Sequence, residues 1–204
     1  MLLPALTKTK EKAHAVSCLG RITQWGKALA MYESDYRELP FSFYKPTGAT
    51  TALRWHEVLI TDYLNLSIQG RPLLQYIGPD SLKWKIYRCP AALPVDGKYM
   101  NEEADWNANI SVFPRINGAT DNASTRVPLK RLTLPSKTFL LLECHSCTSS
   151  SSGVGAISQT KITSERIPYT RHGNSVTVFF ADFHGALMPK PTGGKELDIL
   201  MKNP

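Results

Sequence analysis

Between Ala5 and Tyr36 the apolar residues fall at Leu6, Val16, Leu19, Ile22, Trp25, Leu29 and Tyr32. From Val16 onward the steps are three or four residues, the period of one buried stripe on an α-helix. The spacing predicts a single long helix whose packing face is Val16, Leu19, Ile22, Trp25 and Leu29. Lys8, Lys10, Glu11 and Lys12 solvate its first turns, and after them no proline interrupts before Pro40. At 1.5 Å per residue such a helix runs roughly 45 Å, long for a small domain.

After Pro40 the period changes. Residues 41–51 are turn-rich, and Trp55 to Leu64 carries apolar residues at helical spacing over a short stretch. Trp84 to Tyr87 alternates as a short strand would and leads into Cys89-Pro90. From Asp96 to Val127 the chain is rich in Asn, Asp, Gly and Thr, which reads as loop with one short strand around Ile110–Phe113. Thr138–Glu143 and Ser175–Ala181 are rich in β-branched or large apolar residues and bounded by turn formers, so both are expected to be strands. Gly185–Met188 makes a short return strand after a turn at Asp182–His184. Residues 148–153 are a serine-rich low-complexity loop, and the tail from Pro189 is polar. The expected fold class is α+β. A long N-terminal helix (residues 1–36) packs on a small antiparallel β-sheet with irregular loops in a head of residues 37–204, the two forming a single domain.

Composition changes this picture little. The chain has 204 residues, 42% of them hydrophobic and 20% charged, enough for one domain with a real core and unlike a disordered chain. Its largely apolar runs, Phe139–Leu142 and Val176–Ala181, are strand-sized and far below a membrane span. The net charge of +7 permits an anionic partner. However, the basic residues are scattered with no run beyond Lys130-Arg131, so a solvated surface is expected and no nucleic acid.

The opening Met1-Leu2-Leu3-Pro4-Ala5-Leu6 is an apolar cluster with no polar cap before it. It reads as the end of a hydrophobic segment that continues upstream, with the following residues as the water-facing half of one helix. Taken in order, a set of landmarks then resembles the type IV pilin-like proteins, or pseudopilins, of the subgroup with a C-terminal His-x9-Asp-Gly signature. They are Leu2–Leu6 with Lys8–Ala13; Cys18-Leu19 through Gln24-Trp25-Gly26, Ala28, Tyr32 and Asp35-Tyr36; and Leu39-Pro40. Trp55 with Leu59 and Tyr63-Leu64 follows, then Arg88-Cys89-Pro90, Tyr99-Met100-Asn101, and Leu132 with Pro135–Thr138 and Leu140-Leu141. The signature itself is Arg171-His172-Gly173-Asn174 to Phe180–His184, with His172 and Asp182 framing nine residues. Phe183 stands where the signature has glycine, and the glycine-glutamate-aliphatic run that a prepilin peptidase reads is absent.

The resemblance implies a structural, non-enzymatic subunit, inner-membrane-anchored through an N-terminal segment and N-methylated. It would polymerise into a periplasmic or cell-surface filament of a type II secretion or type IV pilus-like apparatus. Its partners would be other pilin-like subunits, the assembly machinery and the inner membrane, without a cofactor. Arg171, His172, Gly173, Asp182 and His184 then serve as structural signature residues. Export would allow a disulfide between Cys18 and Cys89, pinning the helix to the Cys-Pro turn. It would close a loop of about seventy residues, worth about 4 kcal/mol on the chain-entropy account.

Other readings compete. His172, Asp182 and His184 offer metal ligands or an acid–base pair for a metal-dependent hydrolase. An extended chain between them separates His172 from Asp182 by about 30 Å, so a role in turn geometry is preferred and no metal is expected. Cys144-His145-Ser146-Cys147 has CxxC spacing but no second pair, which leaves a local disulfide or two thiols at a strand end. Asp and Asn between Asn101 and Asn122 lack a calcium-loop spacing and read as a solvated loop. A binding module for carbohydrates or surfaces would instead use Trp55, Trp84 and Trp106 on an exposed face.

Overall fold

The computed structural model of the protein describes residues 3–45, 47, 53–65, 86, 88–91, 106–109, 112–113, 115–117, 128–144, 156–157, 167 and 169–190. Helix α1 spans Leu3–Tyr36, about 50 Å of continuous helix. It ends where Arg37 turns into the left-handed region (φ +61°) with its N–H on the Glu33 carbonyl at 2.7 Å. Pro40 soon after prevents continuation. The buried row is Ala15, Cys18, Ile22, Trp25 and Leu29, with Ala28 alongside and Leu19 and Tyr32 half-buried against the same core. Val16, expected in that row, is 69% exposed. It follows Ala15 by one residue and so points about 100° away from it. The small residues Ala15 and Cys18 occupy the row where the helix comes close to its neighbours, and the bulkier Val16 faces water.

Strands β1 (Phe43–Lys45), β2 (Leu53–Arg54) and β4 (Arg115–Asn117) form a minor sheet in the order β2-β1-β4, with β1 parallel to β4. This sheet was not expected in the turn-rich stretch after Pro40. Helix α2 (Trp55–Asp62) follows β2. The Glu57 carboxylate accepts the Arg54 N–H at 2.8 Å, half of a capping box at the helix start. Trp55 meets Trp25 edge-on, with ring centroids 5.2 Å apart.

The main sheet runs β6-β3-β5-β7-β8. Its strands are β3 (Trp106–Asn109), β5 (Phe139–Glu143), β6 (Ala156–Ile157), β7 (Ser175–Phe180) and β8 (Gly185–Pro189). The four strands β3-β5-β7-β8 are antiparallel, and β6 adds to the edge parallel to β3. The strand expected at Ile110–Phe113 lies earlier, at β3. Val112 and Phe113 instead turn back, both N–H groups bonding the Asn109 carbonyl. Of the strand expected at Trp84–Tyr87 only Ile86 is described, and it is helical. The serine-rich loop and the tail beyond Lys190 lie outside the described residues.

Strand β7 shows how the two faces divide. Val176, Val178 and Phe180 join a cluster with Phe139, Leu142, Ile167 and Tyr169. Phe179 and Ala181 face the α1 side, in one cluster with Ile22, Trp25 and Leu29. The helix crosses β7 and β8 at close range: a Cβ built on Gly26 would lie 1.9 Å from Cζ of Phe179. Only a residue without a side chain lets the helix backbone rest on that ring.

Candidate functional site

Four segments meet beneath α1. The helix contributes Cys18 from its buried row. The Cys-Pro turn contributes Cys89, and it is tied to the helix twice, by the Trp25 indole N–H on the Ile86 carbonyl at 2.9 Å and by the Arg21 guanidinium on the Arg88 carbonyl. Strand β5 ends in Glu143. A 3₁₀ turn at Tyr169–His172 delivers Arg171 and His172. The chain then enters β7 through two consecutive left-handed residues, Gly173 (φ +61°) and Asn174 (φ +66°). Glycine and asparagine are the residues that adopt this conformation at least cost.

The side chains form one connected network. His172 Nε2 lies 3.2 Å from Glu143 Oε2 and 3.2 Å from Cys89 Sγ. Arg171 reaches Glu143 Oε1 at 3.3 Å. Thr177 of β7 donates to Glu143 Oε2 twice, from its N–H at 3.1 Å and its hydroxyl at 3.0 Å. That hydroxyl accepts the Trp106 indole N–H at 3.0 Å and lies 3.6 Å from Cys18 Sγ. The Ala91 N–H points at Cys89 Sγ. The side chains of Glu143 and His172 are wholly buried and that of Arg171 is 9% exposed. Neither Cys18 nor Cys89 forms a disulfide, and both are buried.

Burial would push the Glu143 carboxyl up, but the His172 hydrogen bond and charge, Arg171 and the Thr177 amide hold it below the usual carboxylate range. Burial also works against a charged His172, yet its bonds to Cys89 and Glu143 lift it to about 9. Cys89 is pulled down by its hydrogen bond with Cys18 and, against burial, by His172. Cys18 is pushed up by that same bond to Cys89, by burial and by the Glu143 charge. The directions alternate along the row: Cys18 is driven toward its neutral thiol, while Cys89, His172 and Glu143 are each drawn toward the charged form by the neighbour of opposite tendency. Such alternation, with Arg171 bracing the carboxylate, is the condition for burying ionisable groups together.

The sequence had singled out Cys18, Cys89, Arg171, His172 and Gly173, and the fold brings all five to this place. Asp182 and His184 sit at the other end of β7. There Asp182 Oδ1 contacts His184 Nδ1 and accepts the His184 N–H at 3.4 Å, and the imidazole stacks on Phe180 at 4.5 Å. Phe183 between them has φ +65°, the left-handed conformation that glycine adopts at least cost. A site built from His172, Asp182 and His184 is not assembled: among the described residues the one grouping with metal-ligand geometry contains His172 but neither of the others. Trp55 and Trp106 are fully buried and offer no exposed platform, while Trp84 lies outside the described residues. Cys144 is disulfide-bonded, and Cys147 lies outside the described residues, as do the Asp and Asn residues considered for calcium, Asn107, Asn109 and Asn117 excepted.

Glu143 and Thr177 were not anticipated. Glu143 follows four apolar residues and reads as a strand exit. The available signal was that a carboxylate closing a wholly apolar strand needs a cation, and Arg171 and His172 are the basic pair at the start of the partner strand. No family model matches the chain, and no curated protein or solved structure matches it.

Proposed function

We propose that the protein is a pilin-like structural subunit of a bacterial type II secretion or type IV pilus-like filament, without enzymatic activity. The observation that carries this reading is the division of α1. From Ala15 to Tyr32 the helix is seated on the sheet and on α2, whereas residues 5–13 are exposed along their whole length. Leu6 is 67% exposed. An isolated helix end of this kind gains nothing by projecting into water; packed beside the same segment of neighbouring subunits it would bury its apolar side and place the sheet domains outside. The order α1-then-sheet and the tight turn around Asp182 and Phe183 fit the resemblance noted above.

No described helix is long and apolar enough to cross a membrane, so in this reading the anchor is an upstream segment that continues α1 in the native protein. The test is the mass and N-terminal sequence of the protein recovered from its own cells. A membrane-fraction protein extended by roughly twenty apolar residues and beginning with a methylated residue supports the proposal. A protein in the soluble fraction beginning at Met1 overturns it.

A further inference from the structure

We propose that Cys18, Cys89, Glu143 and His172 form a tetrahedral binding site for a single divalent metal ion of the zinc class. One ligand atom from each of these four buried residues lies within 4.8 Å of all the others. Around zinc, with sulfur at about 2.3 Å and nitrogen or oxygen at about 2.0–2.1 Å, tetrahedral ligands stand roughly 3.3–3.8 Å apart. The His172–Glu143 and His172–Cys89 separations, 3.2 Å each, are already of that size, so the set closes on an ion by small side-chain shifts.

The donor set selects the ion. Two thiolates and an imidazole suit zinc and its neighbours and disfavour magnesium and calcium, which take oxygen ligands. Charge also balances: two thiolates and a carboxylate carry three negative charges, which a divalent ion and the Arg171 guanidinium cancel. Binding forms two metal–sulfur bonds, one metal–nitrogen bond and one metal–oxygen bond. It releases to solvent the two protons that the pair of cysteines and His172 hold between them, with no change of oxidation state. Glu143 is held for this role by Arg171 on Oε1 and by both Thr177 donors on Oε2, the outer contacts that orient a metal-bound carboxylate. Four protein ligands leave no open coordination position, so the site is structural. It fastens α1, the Cys-Pro turn, β5 and the turn before β7 at one point. The inference is independent of the filament reading.

The same two sulfurs could instead close a disulfide, and the experiment separates the two. The full chain is purified under reductant without chelator and titrated with cobalt(II) as the optical probe. The expected result is one cobalt per chain, with the visible bands of tetrahedral cobalt and thiolate charge transfer in the near ultraviolet, both abolished by one equivalent of zinc. Cys18→Ser and His172→Gln each weaken binding by at least about tenfold. Cys144→Ser leaves the spectrum unchanged, which excludes the CxxC pair as its source. Should the first two variants fail to fold, alkylation of the wild-type chain decides, with zinc protecting Cys18 and Cys89 from the reagent. The proposal is overturned by absence of the cobalt bands in reduced wild-type protein, by their loss in Cys144→Ser, by their survival in folded Cys18→Ser, or by unprotected alkylation of both thiols.

Discussion

Among the described residues a histidine pairs with a carboxylate at each end of β7. His184 and Asp182 are 47% and 35% exposed, two residues apart, and their contact braces a hairpin turn. His172 and Glu143 are both wholly buried and come from elements far apart in sequence. The first pair competes with water at both partners and contributes little beyond local geometry. The second has no water to fall back on, so each charge depends on the other and on Arg171, Thr177 and Cys89. The same two functional groups therefore act as a local brace in one place and as a junction of the whole domain in the other.

Removing a carboxylate breaks that comparison most directly. Glu143→Ala strands Arg171 and His172 in the core, and urea unfolding is expected to show a loss of about 4 kcal/mol. A loss equal to that of Asp182→Ala would mean that burial makes no difference. Gly26→Ala attacks the helix seating that keeps the junction dry. The added Cβ meets the Phe179 ring, so thermal unfolding should report a loss of about 3 kcal/mol, partly restored by Phe179→Leu.

Acid sharpens the contrast through groups that must be neutral or ionised only inside the fold. Burial, with Arg54 nearby, lowers His56 to about 3, and Glu143 is likewise held low. A folded value below the unfolded one means stability that is present above the unfolded pKa and lost as pH falls through the window beneath it. His56 alone implies a loss of about 2 kcal/mol between about pH 7 and about pH 5, readable as a shift in the urea midpoint. The smallest effect belongs to the exposed pair. His184→Ala should cost less than about 1 kcal/mol by the same measurement.

The long helix, α2 and the strands β5, β7 and β8 were legible because each carries an uninterrupted apolar period. The row on α1 was displaced at one point, since Ala15 and Cys18 are small enough to escape a hydropathy pattern that Val16 satisfies. The minor sheet was illegible for a different reason. It joins Phe43–Lys45 to Arg115–Asn117, and nothing local in either stretch announces a parallel partner so far along the chain. Of the buried junction, the residues with conspicuous chemistry stood out in the sequence, and Glu143 and Thr177 did not. Their role exists only once β5 and β7 are paired and α1 covers them.

The contact between Gly26 and Phe179 also constrains how this sequence can drift. Any side chain at position 26 collides with the ring while Phe179 is present, and a smaller residue at 179 alone leaves a cavity. Either change by itself carries a cost, and each relieves the other. The two sites should therefore be inherited together, and a helix that carries a side chain at 26 should be found above a β7 that lacks its aromatic ring.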